Sequence, residues 1–230
     1  MITGKWKKSQ FVAALLAATL LGPQLMAAQS PGDTTRTEKE QQKRLAKLSG
    51  LDAAYFEDHA TIEDDPFETT ASVTTEKGFV FKGGFTSRVR SDNLVRALIS
   101  KSSGRTAWQI YQTVTYTGDW RRFTRANIKM GGELVARELT VISRDVVTCS
   151  SGLCVYTEIV GIPLTGEEIS NLASSPQTGL LQFRLKADSG LDWDDDIAVA
   201  EIVGAYRKVA EYRSRMKAEG STPPLVGTDC

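Results

Sequence analysis

A single histidine, His59, serves a chain of 230 residues. Any Ser-His-Asp or Cys-His constellation would have to run through that one ring, and no nucleophile motif accompanies it. There is no H-E-x-x-H, no Walker loop and no G-x-G-x-x-G. Zinc proteolysis, nucleotide hydrolysis and dinucleotide chemistry therefore have no foothold, and no cofactor is expected. Cysteine is scarce, at three residues. Two close cysteines and one distant histidine do not supply four zinc ligands, so no metal is expected either. An excess of one charge is also missing, with 28 basic residues against 28 acidic. That balance argues against nucleic acid as a partner, since such binding needs a concentrated basic surface.

Long apolar runs are nearly absent. The exception, Phe11–Leu21, follows Lys5, Lys7 and Lys8 and precedes Gly22-Pro23 and the small residues Ala27 and Ala28. A basic start, a short apolar centre and a small-residue end read as a secretory signal peptide over residues 1–28. As a helix the run spans roughly 16 Å, short of the roughly 30 Å of a hydrocarbon core, which weighs against an uncleaved anchor. No cysteine follows it, so a lipoprotein anchor is not indicated. No second such run occurs, and the mature chain is expected to lack a transmembrane segment. Cleavage removes three lysines and no acid, leaving 25 basic against 28 acidic residues, a net charge near −3. The remaining ~200 residues can bury one sizeable core.

What the chain has is strand signal. Thr106–Gly118, TAWQIYQTVTYTG, sets Trp108, Ile110, Val114 and Tyr116 on one face and Ala107, Gln109, Tyr111, Thr113, Thr115 and Thr117 on the other. Such alternation, rich in β-branched and aromatic residues, marks a half-buried strand. Around it, strands are expected near 78–82, 92–100, 106–118, 120–129, 134–148, 154–162 and 179–187. The loop KSSGR (Lys101–Arg105) and the pair Gly131-Gly132 mark turns. These loops are too short for parallel crossovers, so the pairing should be antiparallel.

The flanks are plainer. Residues 29–50 are a polar leader, flexible or helical, and Leu51–Phe56 should dock on the body. Glu63–Pro66 reads as an acidic loop before the Thr-rich Phe67–Thr75. Phe85–Arg90 reads as a further edge strand. Thr165 and Glu168 are spaced as a capping box, with Leu164 and Ile169 as its staple, for a helix over 166–174. A longer helix is expected over 194–217, with Val199, Ile202, Val203, Tyr206, Val209 and Ala210 at spacings of three and four. The expected class is α+β: a mainly antiparallel sandwich or strongly curved sheet with the C-terminal amphipathic helix packed on it. One β-rich domain should cover 51–220, with an irregular tail over 221–230.

Three stretches invite chemistry. Cys149 and Cys154 flank four residues at an expected hairpin, and export favours their bonding to each other, which leaves Cys230 as the odd thiol. Their spacing lacks the C-x-x-C form of redox sites. Asp192–Asp196, DWDDD, begins like an EF-hand but has Ile197 where glycine is required and Val203 where glutamate is required. Those acids read instead as the N-terminal charges of the last helix, complementing its dipole. Trp120, Arg121, Arg122 and Arg125 form the densest mix of aromatic and cationic side chains. They could grip an anionic ligand by stacking and bidentate hydrogen bonds, or simply line the wet face of a strand.

The order of features looks like that of an exported bacterial protein, periplasmic or secreted. The expected function is a non-catalytic binding or structural role in the cell envelope, with an envelope protein or an anionic ligand as partner. The alternative is a carboxylate-dependent hydrolase acting on cell-wall or polysaccharide material, because acids are plentiful even though spacing identifies no catalytic pair.

Overall fold

Alternating apolar residues build two antiparallel sheets that share one core. The computed structural model describes residues 43, 46–47, 50–75, 89–176 and 179–218, with 89 and 90 as backbone only. The expectations for a signal peptide at 1–28, most of the leader, a strand at 78–82, most of Phe85–Arg90, and the tail with Cys230 lie outside these residues.

The first sheet holds β1 (Thr61–Glu63), β2 (Thr70–Thr74), β3 (Val89–Ser100), β4 (Thr106–Thr117), β7 (Thr140–Ser150) and β8 (Leu153–Leu164), in the order β1-β2-β3-β4-β8-β7. The second holds β5 (Phe123–Met130), β6 (Glu133–Glu138), β9 (Leu180–Ala187) and β10 (Trp193–Ala198), in the order β10-β9-β5-β6. Every pairing is antiparallel. In β4 the expected alternation is present, with Trp108, Ile110, Val114 and Tyr116 buried. They join Val95, Ile99, Val160 and Ile162 from neighbouring strands and Phe123, Ile128, Phe183 and Leu185 from the second sheet in one contiguous core.

Helices close the remaining side. α1 (Ala53–His59), α2 (Gly166–Ser174) and α3 (Val199–Ala218) all contact one another through α3, which also packs on β2 and β3. Leu51–Phe56 docks as expected: Asp52 caps α1, and Phe56 is fully buried. The approach to α3 is so close that a Cβ on Gly204 would stand 2.6 Å from the Cβ of Phe56 and 2.9 Å from the carbonyl oxygen of Ala53. The capping box also forms, with Glu168 N–H donating to Thr165 Oγ1 at 3.1 Å and Thr165 N–H to Glu168 Oε2 at 2.7 Å.

Four expectations need correction. The run 134–148 is two strands, because the chain leaves the second sheet at Glu138 and enters the first at Thr140. At the junction Leu139 N–H donates to the Thr124 carbonyl, so the amide at the switch stays paired. The strand expected from Trp120 starts at Phe123, because the three residues before it are held in a loop described below. The Thr-rich stretch contains β2, where β-branched threonines fit a pleated surface. Finally, the last helix starts at Val199, and DWDDD lies in β10. There the ladder with β9 places the acids in a strand rather than at a helix end, and Asp194, facing Arg184 across it, accepts from its Nη2 at 2.8 Å.

Candidate functional site

The Trp120 loop is assembled from its backbone outward. Gly118 ends β4 at φ +113, a value that favours glycine, and Arg122 sits at φ +56 in the left-handed region. For a residue with a Cβ that conformation costs on the order of 1 kcal/mol and persists only where neighbours enforce it. The neighbours are Tyr116 and Glu158. Tyr116 OH accepts from Arg121 N–H at 2.9 Å, Glu158 Oε1 accepts from Arg122 N–H at 2.8 Å, and Glu158 Oε2 accepts from Phe123 N–H at 3.0 Å. Three successive amides thus converge on one side, a concavity suited to an anion. The protein's own Glu158 carboxylate takes two of these amides and the Tyr116 hydroxyl takes the third.

Glu158 is fully buried, and its charge is met on every side. Arg144 Nε donates to Oε2 at 2.9 Å while its Nη2 donates to the Phe123 carbonyl at 2.8 Å. Tyr116 donates its phenolic proton to Oε1. Arg144 and Glu158 are direct partners in the β7–β8 ladder, so the sheet itself sets their meeting. Burial, and then the hydrogen bond to Glu158, raises the Tyr116 phenol well above its ordinary value, so it stays a donor at any physiological pH.

The clamp fixes what the loop displays. The Trp120 ring lies 4.5 Å from that of Tyr156, and the Arg121 guanidinium lies 4.9 Å over the Tyr116 ring. Burial lowers the Arg121 value, against the pull of Tyr116 and Glu158. Its Nη1 donates to the Leu191 carbonyl at 3.4 Å. Arg122 is exposed. Arg125 stands apart on β5, exposed, in register with Glu138 and Lys186. The sequence pattern therefore splits: Trp120, Arg121 and Arg122 share one rigid loop, and Arg125 belongs to a strand face.

Cys149 and Cys154 form the expected bond, with sulfurs 2.00 Å apart and Cα atoms 4.1 Å apart. They are direct cross-strand partners rather than the ends of a four-residue loop. The turn is only Ser151-Gly152, with φ values of +51 and +78, the pattern of a tight two-residue hairpin. His59 is exposed on α1, with Nδ1 2.8 Å from the Tyr55 carbonyl and its ring stacked on Tyr55 at 4.1 Å.

Sequence reading missed a second buried polar cluster. Asn93 Nδ2 donates to Gln112 Oε1 at 3.1 Å and to the Asp196 carbonyl at 3.0 Å. Gln112 Nε2 and Trp193 Nε1 both donate to Asp195 Oδ2, at 3.1 and 3.2 Å. Close by in sequence, Thr75 Oγ1 donates to buried Glu201 at 2.6 Å while accepting from Val95 N–H at 2.9 Å. The available signal was parity: Gln112 occupies an inward position of β4, between Ile110 and Val114. Among the described residues no three metal-ligating side chains gather. Nor, among them, is any helix long and apolar enough to cross a membrane.

Comparison with protein-family models, with curated proteins and with solved structures finds no match to this chain.

Proposed function

We propose that this is an exported protein of the cell envelope, periplasmic or secreted, that holds an anionic ligand or an envelope partner without turning it over. The observation that carries this reading is the Glu158 clamp. With Tyr116 it fixes the backbone of Arg121, Arg122 and Phe123 before any ligand arrives, and it leaves the exposed Arg122 guanidinium as the presented group, with the Trp120 ring half-buried against Tyr156. Preorganisation of this kind raises affinity, because the loop loses little entropy on binding. Export is supported by the N-terminal pattern of residues 1–28 and by the Cys149–Cys154 bond, which persists in oxidising compartments.

The hydrolase alternative gains nothing from Glu158. Both of its oxygens are committed to donors, whereas a general acid or base must reach a substrate.

Calorimetric titration with a uronic-acid oligosaccharide, and separately with inorganic phosphate, tests the reading. Binding should quench Trp120 fluorescence, and Arg122→Ala should weaken it about tenfold, the worth of one charge-assisted contact. Saturating probe that leaves both heat and fluorescence unchanged would sink the anionic-ligand reading. Recovery of the protein from the cytoplasmic fraction with residues 1–28 intact would sink the export reading.

A further inference from the structure

β7 poses a problem that the ligand reading leaves unanswered. It ends the six-stranded sheet, and among the described residues no strand lies beyond it. Yet it carries Val141, Ile142, Val146 and Val147 at 46%, 38%, 52% and 59% exposure, with Leu153 at 56% beside the hairpin tip. A long edge with apolar side chains in water is a template for another strand.

We propose that the occupant is a second copy of this chain, paired antiparallel along β7 about a two-fold axis through Arg144. The evidence is self-complementarity. Arg144, Val141 and Val146 lie on the same side of the sheet as their ladder partners Glu158, Val160 and Tyr156; Thr140, Ser143, Asp145 and Thr148 lie on the other. A two-fold perpendicular to the sheet keeps each face continuous. Centred on Arg144, it sets Thr140 against Thr148 of the second copy and Ser143 against Asp145, polar with polar and on the matching face. Val141 then meets Val147 and Ile142 meets Val146, apolar with apolar.

The ladder irregularities fit the same axis. β7 slips against β8 between Val141 and Ser143 and again between Val146 and Thr148, once on each side of Arg144. Bulges ordinarily guard an edge by bending it away from a straight strand. Here the two-fold lays one kink against the other. A register shifted by half a step would put Arg144 opposite Asp145, but those side chains leave opposite faces of the sheet. The like charges at the axis are answered within each copy, because Arg144 Nε lies 2.9 Å from Glu158.

A single-strand edge buries less than the ~800 Å² per partner of a standard interface, so the dimer should form at about micromolar concentration. Sedimentation velocity on the exported form of the chain, from ~1 to ~100 µM, should show reversible dimerisation. Val147→Lys should weaken it more than tenfold while thermal unfolding, measured below the dimerisation range, is unchanged. In a Cys230→Ser background, Ser143→Cys with Asp145→Cys should give disulfide-linked dimers on mild oxidation, and Thr140→Cys with Asp145→Cys should not. A monomer throughout that range overturns the proposal, even if a foreign strand is found to bind the edge. So does a dimer that ignores Val147→Lys or fails to cross-link in this register. Neither result bears on what Trp120 and Arg122 hold, so the two proposals can fail separately.

Discussion

β4 and β7 are 12 and 11 residues long, both are rich in β-branched residues, and both pair with β8. Their fates differ. β4 runs against β8 without a slip, with Ile110 and Val114 fully buried, whereas β7 slips twice and leaves most of its apolar side chains in water. The difference is cover. β4 lies inside the sheet with the second sheet's residues and α3 over its inner face. β7 has β8 on one side and, among the described residues, no strand on the other. Strand propensity decides that a segment extends; burial is decided by what packs on it.

The two strands meet energetically at Glu158, which takes a hydrogen bond from Tyr116 of β4 and another from Arg144 of β7. Neutralising it should therefore have the largest effect. Glu158→Gln leaves Arg144 without its carboxylate and turns one acceptor into a donor facing backbone amides. The expected loss is about 3–5 kcal/mol, the range for breaking a buried pair from one side, read from the midpoint of urea unfolding. A loss below ~1 kcal/mol would mean the clamp is solvated and the two strands are not coupled there.

The comparison is sharpened by cutting the same kind of side chain from each strand. Ile110→Ala in β4 should cost about 2–5 kcal/mol through lost burial and a residual cavity. Val146→Ala in β7 should stay within about 0.5 kcal/mol, as at other exposed positions, when measured below the dimerisation range. Equal losses would show that β7 is covered in solution and would break the contrast.

The effect of the cysteines should fall below that of Glu158 and above that of Val146→Ala. Their loop is short, so replacing both Cys149 and Cys154 with serine should cost on the order of 2 kcal/mol and leave the fold intact. Near-ultraviolet circular dichroism and a denaturation curve together check this. Peptide mapping that finds Cys230 linked to either would refute the pairing.

The fold class could be read because alternation is a local signal: Trp108, Ile110, Val114 and Tyr116 announce their own strand and its buried face. The capping box at Thr165 and the disulfide were legible for the same reason. The sheet switch at Leu139 was not, since Leu134–Thr148 alternates well enough to pass for one strand. What divides it is a bond to Thr124, contributed from elsewhere in the chain. DWDDD misled in the opposite direction, because acids before an amphipathic helix look like dipole partners until Arg184 is known to lie across the ladder. Of the candidate site, the residue types at 120–122 were visible. Glu158, 36 residues beyond Arg122, was invisible as their anchor because its role exists only once β4, β7 and β8 lie side by side.

The break at Leu139 also has a mechanical meaning. β6 and β7 are one run of chain with a foot in each sheet, so a pull on the disulfide-tipped arm is not borne by β8 alone. The load passes along the covalent backbone through Leu139 into β6, and through the Arg144 guanidinium into the carbonyl of Phe123 at the root of β5. Both routes end in the second sheet. Whatever tugs the arm tugs two layers at once, and the hairpin behaves as a tether rooted in the body rather than as a flap hinged at its edge.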